Sequence, residues 1–511
     1  MNNAIEEAQA ALKSDKPKVF LPGRNGSISA VAAELGSRLR AADAELFVRD
    51  ARVVEALPAK DKKAVRLSEM EPDRFRTWIE DYVLVMKTIN TERGPVHEIC
   101  SMTRDVAAAI LKSPQFQKCL RPITRILSCA IPAYTEDGSL RLLHRGYNEK
   151  EEAYVSGPDD YVGELASVAE AKNVIHDVFS EFQFEDDGRS LSVAVAAMLT
   201  PYVRFLMRPG STWPTFVYNA NDQGAGKTLC AKIATMTCFG SGEVMTIDKD
   251  REEFRKKLAT ALLEGAQFML FDNVDVPIHD GTLEAANTSS EINLRLLGRN
   301  KSIVGPVPYF YITGNGVQVR GDMASRVLWV HLFTPAIRPE DRVFRRDIEE
   351  EDLFVMRPRL LSACYWLVKS WVEAGSPIKE CQSRHKNWAR VVGSILCFHD
   401  FVNPTSRPPA IEGQMDAADN ITMLFAAMDP AERYDTNQLI ELCQKVGAFE
   451  DRLADWEGED TDPRRKSAIR SFIGLTIARA ERRSYGGRRI RREGKSRDRK
   501  YRVEVMETIP A

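Results

Sequence analysis

Four short apolar runs mark the middle of the chain: Thr215–Tyr218, Gln267–Phe271, Val307–Ile312 and Val327–Leu332. Runs this short, bounded by polar and glycine-containing turns, predict buried strands. Helical patterning flanks them. A helix is predicted over Leu229–Cys238. Residues 167–207 read as helical, with Val174, Ile175, Val178 and Phe179 on one side, and so do residues 346–400, where Leu360, Leu361, Cys364, Leu367 and Val368 recur at helical spacing. Before the first run, residues 1–165 mix strand-like stretches (Val19–Leu21, Glu45–Val48) with helical ones such as Arg104–Leu111. After the last helical region, Asn403–Pro409 has linker composition. Beyond it a helix is predicted over Tyr434–Cys443, capped by Asp435 or Thr436. A second helix follows from Asp462, with Ala468, Phe472, Leu475 and Ala478 or Arg479 on one face. Two strand-like runs, Arg488–Arg492 and Lys500–Val505, close the pattern. Helix, helix and basic hairpin predict a winged helix, which binds DNA or, alternatively, protein. The pattern divides the chain at 1–165, 166–345, 346–402 and 413–511, an α/β protein with a mixed α+β N-terminal domain.

The turn between the first strand and its helix is Asn221-Asp222-Gln223-Gly224-Ala225-Gly226-Lys227-Thr228, followed by Leu229. A strand feeding a Gly-Lys-Thr turn that opens a helix suits a triphosphate, because loop and helix N–H groups point at the phosphates. In this arrangement Lys227 reaches the β- and γ-phosphates and Thr228 holds Mg²⁺. Asn221 replaces the first glycine of the usual pattern and tolerates positive φ. The second apolar run delivers Asp272, a second Mg²⁺ anchor, followed by Asn273 where a water-activating glutamate is usual. Asp275, Glu264 and Glu291 are the spare carboxylates. The third run ends at Asn315, placed to orient the attacking water. The fourth follows Arg326, placed to reach a neighbouring subunit's nucleotide. Between the second and third runs, Gly298-Arg299-Asn300-Lys301 predicts a cationic hairpin tip.

The chain's net charge of −2 conceals an uneven distribution: Arg479–Arg502 holds twelve Lys/Arg against three Asp/Glu, leaving the rest acidic. That end suits a polyanion, or is a solvated tail. Nine scattered cysteines without a C-x-x-C pair argue against a zinc ribbon and predict reduced thiols. His97, His144 and His176 lack partners at ligand spacing. No basic and apolar leader opens the sequence, and Leu191–Met207 is broken by Pro201 and Arg204, so a cytoplasmic protein with no membrane contact is expected.

The order of these features resembles the AAA+ / superfamily 3 helicases of phages, plasmids and other mobile elements, over about residues 167–345. The resemblance implies a P-loop NTPase core acting as a ring-forming, ATP- and Mg²⁺-dependent DNA helicase or replication ATPase, with a hexamer favoured, single-stranded or forked DNA as partner and other replication proteins alongside. It implies catalytic roles for Lys227, Asp272, Asn273, Asn315 and Arg326. Arg299 and Lys301 are the expected channel DNA contacts, and Arg488, Arg489, Arg491, Arg492, Lys495, Arg497, Arg499 and Lys500 are the expected wing contacts. A helicase loader or initiator that does not unwind DNA, or a DNA-binding regulator with weak hydrolysis, fits the same motifs.

Overall fold

The computed structural model describes residues 16–23, 26–58, 65–92, 94–184, 186–220, 224–246, 251–274, 281–295, 302–315, 317, 319, 321–333, 348–406, 417–449, 453, 456, 463–480, 488–494 and 500–505. The chain separates after Ser406 into two compact units, inside the linker predicted from composition.

The centre of the first unit is built from α1 (Val168–Phe179), α2 (Arg189–Tyr202), β1 (Thr215–Ala220), α3 (Lys227–Phe239), β2 (Val244–Met245), α4 (Arg251–Glu264), β3 (Phe268–Phe271), the hairpin strands β4 (Glu291–Arg295) and β5 (Ser302–Pro306), β6 (Tyr309–Asn315), β7 (Val327–Leu332) and α5 (Glu350–Glu373). Five strands form a parallel sheet in the order β2-β3-β6-β1-β7. All six residues of β1 are buried, as the unbroken apolar run requires of a strand covered on both faces. β6 comes late in the sequence but sits between β1 and β3, so its C-terminal tip reaches the loops that follow both neighbours. Crevices at such points in parallel sheets are where ligands bind.

The predicted helical lead-in is two helices. Ser167 caps α1, its hydroxyl accepting from the Glu170 N–H at 3.2 Å. The break falls at Asp187 and Gly188, both with positive φ. There the Asp186 carboxylate accepts from the Ser190 N–H at 2.6 Å and its hydroxyl at 2.8 Å, starting α2.

α5 buries Leu360, Leu361, Cys364, Leu367 and Val368 against α1 and α3. One hydrophobic core takes in the sheet, these helices, and residues such as Leu127, Val155 and Leu165. The boundaries drawn at 165 and 345 from the sequence therefore do not coincide with boundaries of the core. Arg357 of α5 is buried and shows the reason. Its guanidinium donates to the carbonyls of Thr237 (3.0 Å), Cys238 (3.3 Å) and Ser128 (2.7 Å). Two of these carbonyls belong to the last turn of α3, which otherwise lacks intrahelical donors and carries partial negative charge. Replacing Arg357 with Met removes the guanidinium donor from all three carbonyls and leaves only the Cys129 thiol on that of Cys238, and is expected to cost about 3 kcal/mol, measured by urea unfolding.

The N-terminal part has a separate core, in which Leu35, Leu39, Phe75, Ile110 and Phe116 are buried. It carries a four-stranded sheet and a three-stranded one. The predicted helix at Arg104–Leu111 is present, capped by Thr103. His97 bonds the Thr88 hydroxyl, His144 the Arg145 carbonyl, and His176 stacks on Phe401.

The second unit contains α6 (Ala417–Ala427), α7 (Thr436–Lys445), α8 (Pro463–Ala480) and an antiparallel hairpin of β8 (Arg488–Glu493) and β9 (Lys500–Val505). Tyr434, between α6 and α7, pairs with Tyr501 of β9 as a third short rung. Asp435 is the cap of α7, closed by a reciprocal bond from Gln438. The face of α8 read from the sequence is met in part. Ala468 is exposed and Phe472 packs beside the core, while Ile473, Ile477 and Ala480 enter it and Ile469 also packs beside it; the side chains of Leu475, Ala478 and Arg479 lie outside the described ones.

Candidate functional site

The C-terminal tips of β1, β3 and β6 bring together side chains that lie 44 and 41 residues apart in sequence. The Thr228 hydroxyl, on the first turn of α3, donates to Asp272 Oδ1 at 2.7 Å. The Thr313 hydroxyl, on β6, donates to the same oxygen. Thr313 Oγ1 also accepts from the Asn273 N–H at 3.1 Å, and its carbonyl accepts from the Val274 N–H at 2.8 Å. The β3 tip is thus fastened over the β6 tip. This closeness needs glycine at 314, where an added Cβ would lie 2.4 Å from the Val274 carbonyl oxygen.

α3 opens directly at Lys227, two residues earlier than predicted, and Lys227 is buried. Its N-cap, Gly226, has φ +82 and offers no side chain to the first-turn N–H groups. An added Cβ there would also meet the Phe182 ring at 3.0 Å. Gly224 has φ +73, Ala225 is buried and Leu229 is half-buried. Uncapped N–H groups at the start of a 13-residue helix form an anion-seeking end. Asn221, Asp222 and Gln223 lie outside the described residues.

Asn273 adopts φ +52. Asn tolerates this left-handed conformation better than Glu, so the position serves the turn as well as any chemistry. The spare carboxylates are elsewhere. Glu264 pairs with Arg66 at 3.4 Å, and Glu291 lies within Coulombic reach of Arg125, beside the N-terminal end of β6. Asp275 is outside the described residues. Asn315 ends β6, and its buried carboxamide oxygen has no hydrogen-bond partner among the described residues. Such an atom is costly unless something bonds it.

Arg326 lies beside β7. Its guanidinium is held by Asp322 of the same chain, at 2.8 and 3.1 Å. This bond and the nearby positive charge keep the Asp322 carboxyl below its usual range. The Arg326 carbonyl accepts from Nε2 of buried His385 at 3.4 Å, and a carbonyl can only accept, so Nδ1 accepts from the Thr212 hydroxyl at 2.8 Å. Burial lowers the His385 pKa to about 4. The unfolded chain therefore binds a proton below about 6.5 that the folded chain refuses. Stability from this group is full above pH 6.5 and lost as pH falls towards 4, by up to roughly 3 kcal/mol. Urea midpoints measured across that window are expected to fall less steeply in His385→Gln protein.

The basic hairpin tip, Arg299 and Lys301 included, lies outside the described residues, but its stem is present. β4 and β5 pair antiparallel, with Arg295 opposite Ser302. In the second unit, Arg488 leaves the set of expected DNA contacts. Its guanidinium donates to the carbonyls of Phe425, Ala426 and Met428 at 2.9–3.1 Å, capping the end of α6. Arg491 bonds Glu504 at 3.0 Å, while Arg489 is half-buried and Arg492 and Lys500 are exposed. Lys495, Arg497 and Arg499 are outside the described residues.

Thr313 was absent from the sequence reading. Only its place two residues before Asn315, at the end of an apolar run, hinted at it. Arg357 and His385 left no local signal, because their partners come from distant segments.

No family model matches the chain, and no curated protein matches it. Solved structures do match. An apo structure of the NrS-1 C-terminal region shares 12% identity over 77% of this chain and 82% of that one, with a TM-score of 0.34. A second structure of that region shares 11% over 86% and 85%, at 0.39. A JCV helicase bound to a small molecule shares 12% over 46% and 68%, at 0.22. Each likeness is coarse and assigns no residue a role. Among the described residues no helix is long and apolar enough to cross a membrane.

Proposed function

We propose that this protein is an ATP-dependent DNA helicase or replication ATPase with a P-loop NTPase core. The observation that carries the reading is the Thr228–Asp272–Thr313 cluster at the tips of three adjacent parallel strands, beside the uncapped N-terminus of α3. The residues fit a nucleotide with Mg²⁺: hard oxygen donors from Thr228 and Asp272, and an orphaned buried amide at Asn315. The metal would neutralise charge developing on the phosphates.

Each side chain has a task in this reading. Lys227 and the N–H groups of α3 hold the β- and γ-phosphates. Thr313 fixes the Asp272 carboxylate so that its second oxygen stays available. Asn315 orients the attacking water. The water-activating base is not Asn273, which has no basic group. Arg326 is the proposed contact to a neighbouring subunit's nucleotide in a ring, and Asp322 presents it.

The second unit has the element order of a winged helix, helix–rung–helix–helix–hairpin, and we assign it duplex binding. The two DNA contacts should be separable. Lys301→Ala, at the tip of the β4–β5 hairpin, should abolish DNA-stimulated turnover and unwinding while sparing duplex binding. Deleting residues 486–511 should weaken duplex binding and flatten its salt dependence, with unwinding still measurable at high protein. Strand displacement on forked DNA and fluorescence anisotropy at several salt concentrations measure both. Equal losses of binding and activity in both variants would refute the division. ATP-dependent DNA binding without strand displacement would favour a loader.

A further inference from the structure

A second cluster of chemistry lies at the other end of the sheet. Tyr309 opens β6 and Asn315 closes it, so the two ends are about 20 Å apart at the usual rise of a strand. Around Tyr309 is a cavity of about 40 Å³, between the N-terminal strands, the end of α2 and the foot of the β4–β5 hairpin. Three arginines line it: Arg49, Arg125 and Arg204. Each is partly buried, and among the described residues no carboxylate forms an ion pair with any of them.

The three charges act on one another. Burial, helped by the neighbouring Arg204 and to a lesser degree Arg49 guanidinium groups and opposed by Tyr309 and Glu291, lowers the pKa of Arg125 to about 10. Burial also lowers Arg49. Arg204 is held by stacking on Trp213, 4.9 Å from the ring centroid, and Trp213 stacks in turn on Tyr309. Arg49 reaches the hairpin foot, where a Cβ added at Gly305 would lie 2.9 Å from its Nη2. Tyr309 is 5% exposed, and its hydroxyl has no hydrogen-bond partner among the described residues. Like charges partly withdrawn from water beside an unbonded buried hydroxyl are unfavourable together unless an anion joins them.

We propose that this cavity binds one phosphate-class oxyanion, with Arg49, Arg125 and Arg204 supplying the charge and the Tyr309 hydroxyl donating a hydrogen bond. The volume admits roughly three waters, the size of a single tetrahedral anion and too small for a nucleoside. Guanidinium groups bond phosphate oxygens in pairs, which suits the arginines here better than lysines. Pro306 and Val307 line the cavity at the foot of β5, so occupancy would brace the hairpin independently of the nucleotide site.

The test uses full-length Lys227→Ala protein, which removes phosphate binding at the start of α3. Melting temperature is measured against inorganic phosphate, with chloride at matched ionic strength. A saturable rise of about 2–4 °C is expected, distinct from the unsaturable stabilisation that phosphate gives any protein. Adding Arg125→Gln should abolish the saturable part. Tyr309→Phe should weaken half-saturation several-fold, and it removes only an unbonded hydroxyl, so it reports even if the arginine variant folds poorly. A dinucleotide with and without a 5′-phosphate separates the sources. A shift with the phosphorylated form alone assigns a nucleic-acid end, and a shift with inorganic phosphate alone assigns the free ion. No saturable shift with either ligand, or one unchanged by Tyr309→Phe and Arg125→Gln, overturns the proposal.

Discussion

Lys227→Ala protein is expected to keep its fold and lose ATP turnover by at least ~10²-fold. The lysine is buried at the first position of α3, beside the uncapped N–H groups that start that helix. Its interaction strengthens as charge moves onto the transferring phosphoryl group, so the loss should fall on kcat. Phosphate release under saturating ATP, with circular dichroism as the control for folding, measures it. Unchanged turnover in a folded variant would remove the ATPase assignment altogether, and the helicase reading with it.

Asp272→Asn should lower turnover by about 10²–10³-fold while leaving nucleotide binding detectable. The carboxylate gathers two hydroxyls on one oxygen, which leaves the other for a metal. An amide keeps the shape and loses the charge that, in the proposed reading, would anchor Mg²⁺. Thr313→Val separates anchoring from positioning. It removes one donor to Asp272 and the acceptor for the Asn273 N–H, so the β3 tip should loosen. Turnover should fall about tenfold, with a raised requirement for Mg²⁺ that the Asp272 variant cannot satisfy at any concentration. A Thr313→Val enzyme with wild-type Mg²⁺ dependence would mean that the hydroxyl serves only the fold. Thr313→Ser should restore the lost activity in part.

Much of the site was legible because it is written locally. The turn expected from the sequence needs a strand, glycines with positive φ and a helix start within a dozen residues, and Gly224, Gly226 and Lys227 provide the last two. Asp272 and Asn315 were legible for a similar reason: each ends an apolar run, and the end of a buried parallel strand is where polar chemistry can begin. Two details of the second unit were not legible. Arg488 looked like a surface charge because its acceptors are carbonyls sixty or more residues away. Which residues of α8 enter the core was legible only in part, because a helix with apolar residues on several sides is oriented by what it packs against.

By itself, then, the sequence determined the central strands and the helices that flank them, and that Lys227, Asp272 and Asn315 stand at the ends of such elements. Hydrophobic periodicity and turn chemistry act over a few residues, and a single chain displays them directly. The tertiary structure alone decided the strand order that inserts β6 between β1 and β3, and so made Thr313 a partner of Asp272. It also decided that α5 belongs to the central core through Arg357 and that three arginines from distant segments converge at the foot of the hairpin. These pairings depend on how whole elements stack to bury apolar surface. No window of sequence holds both partners, so only the folded chain shows them.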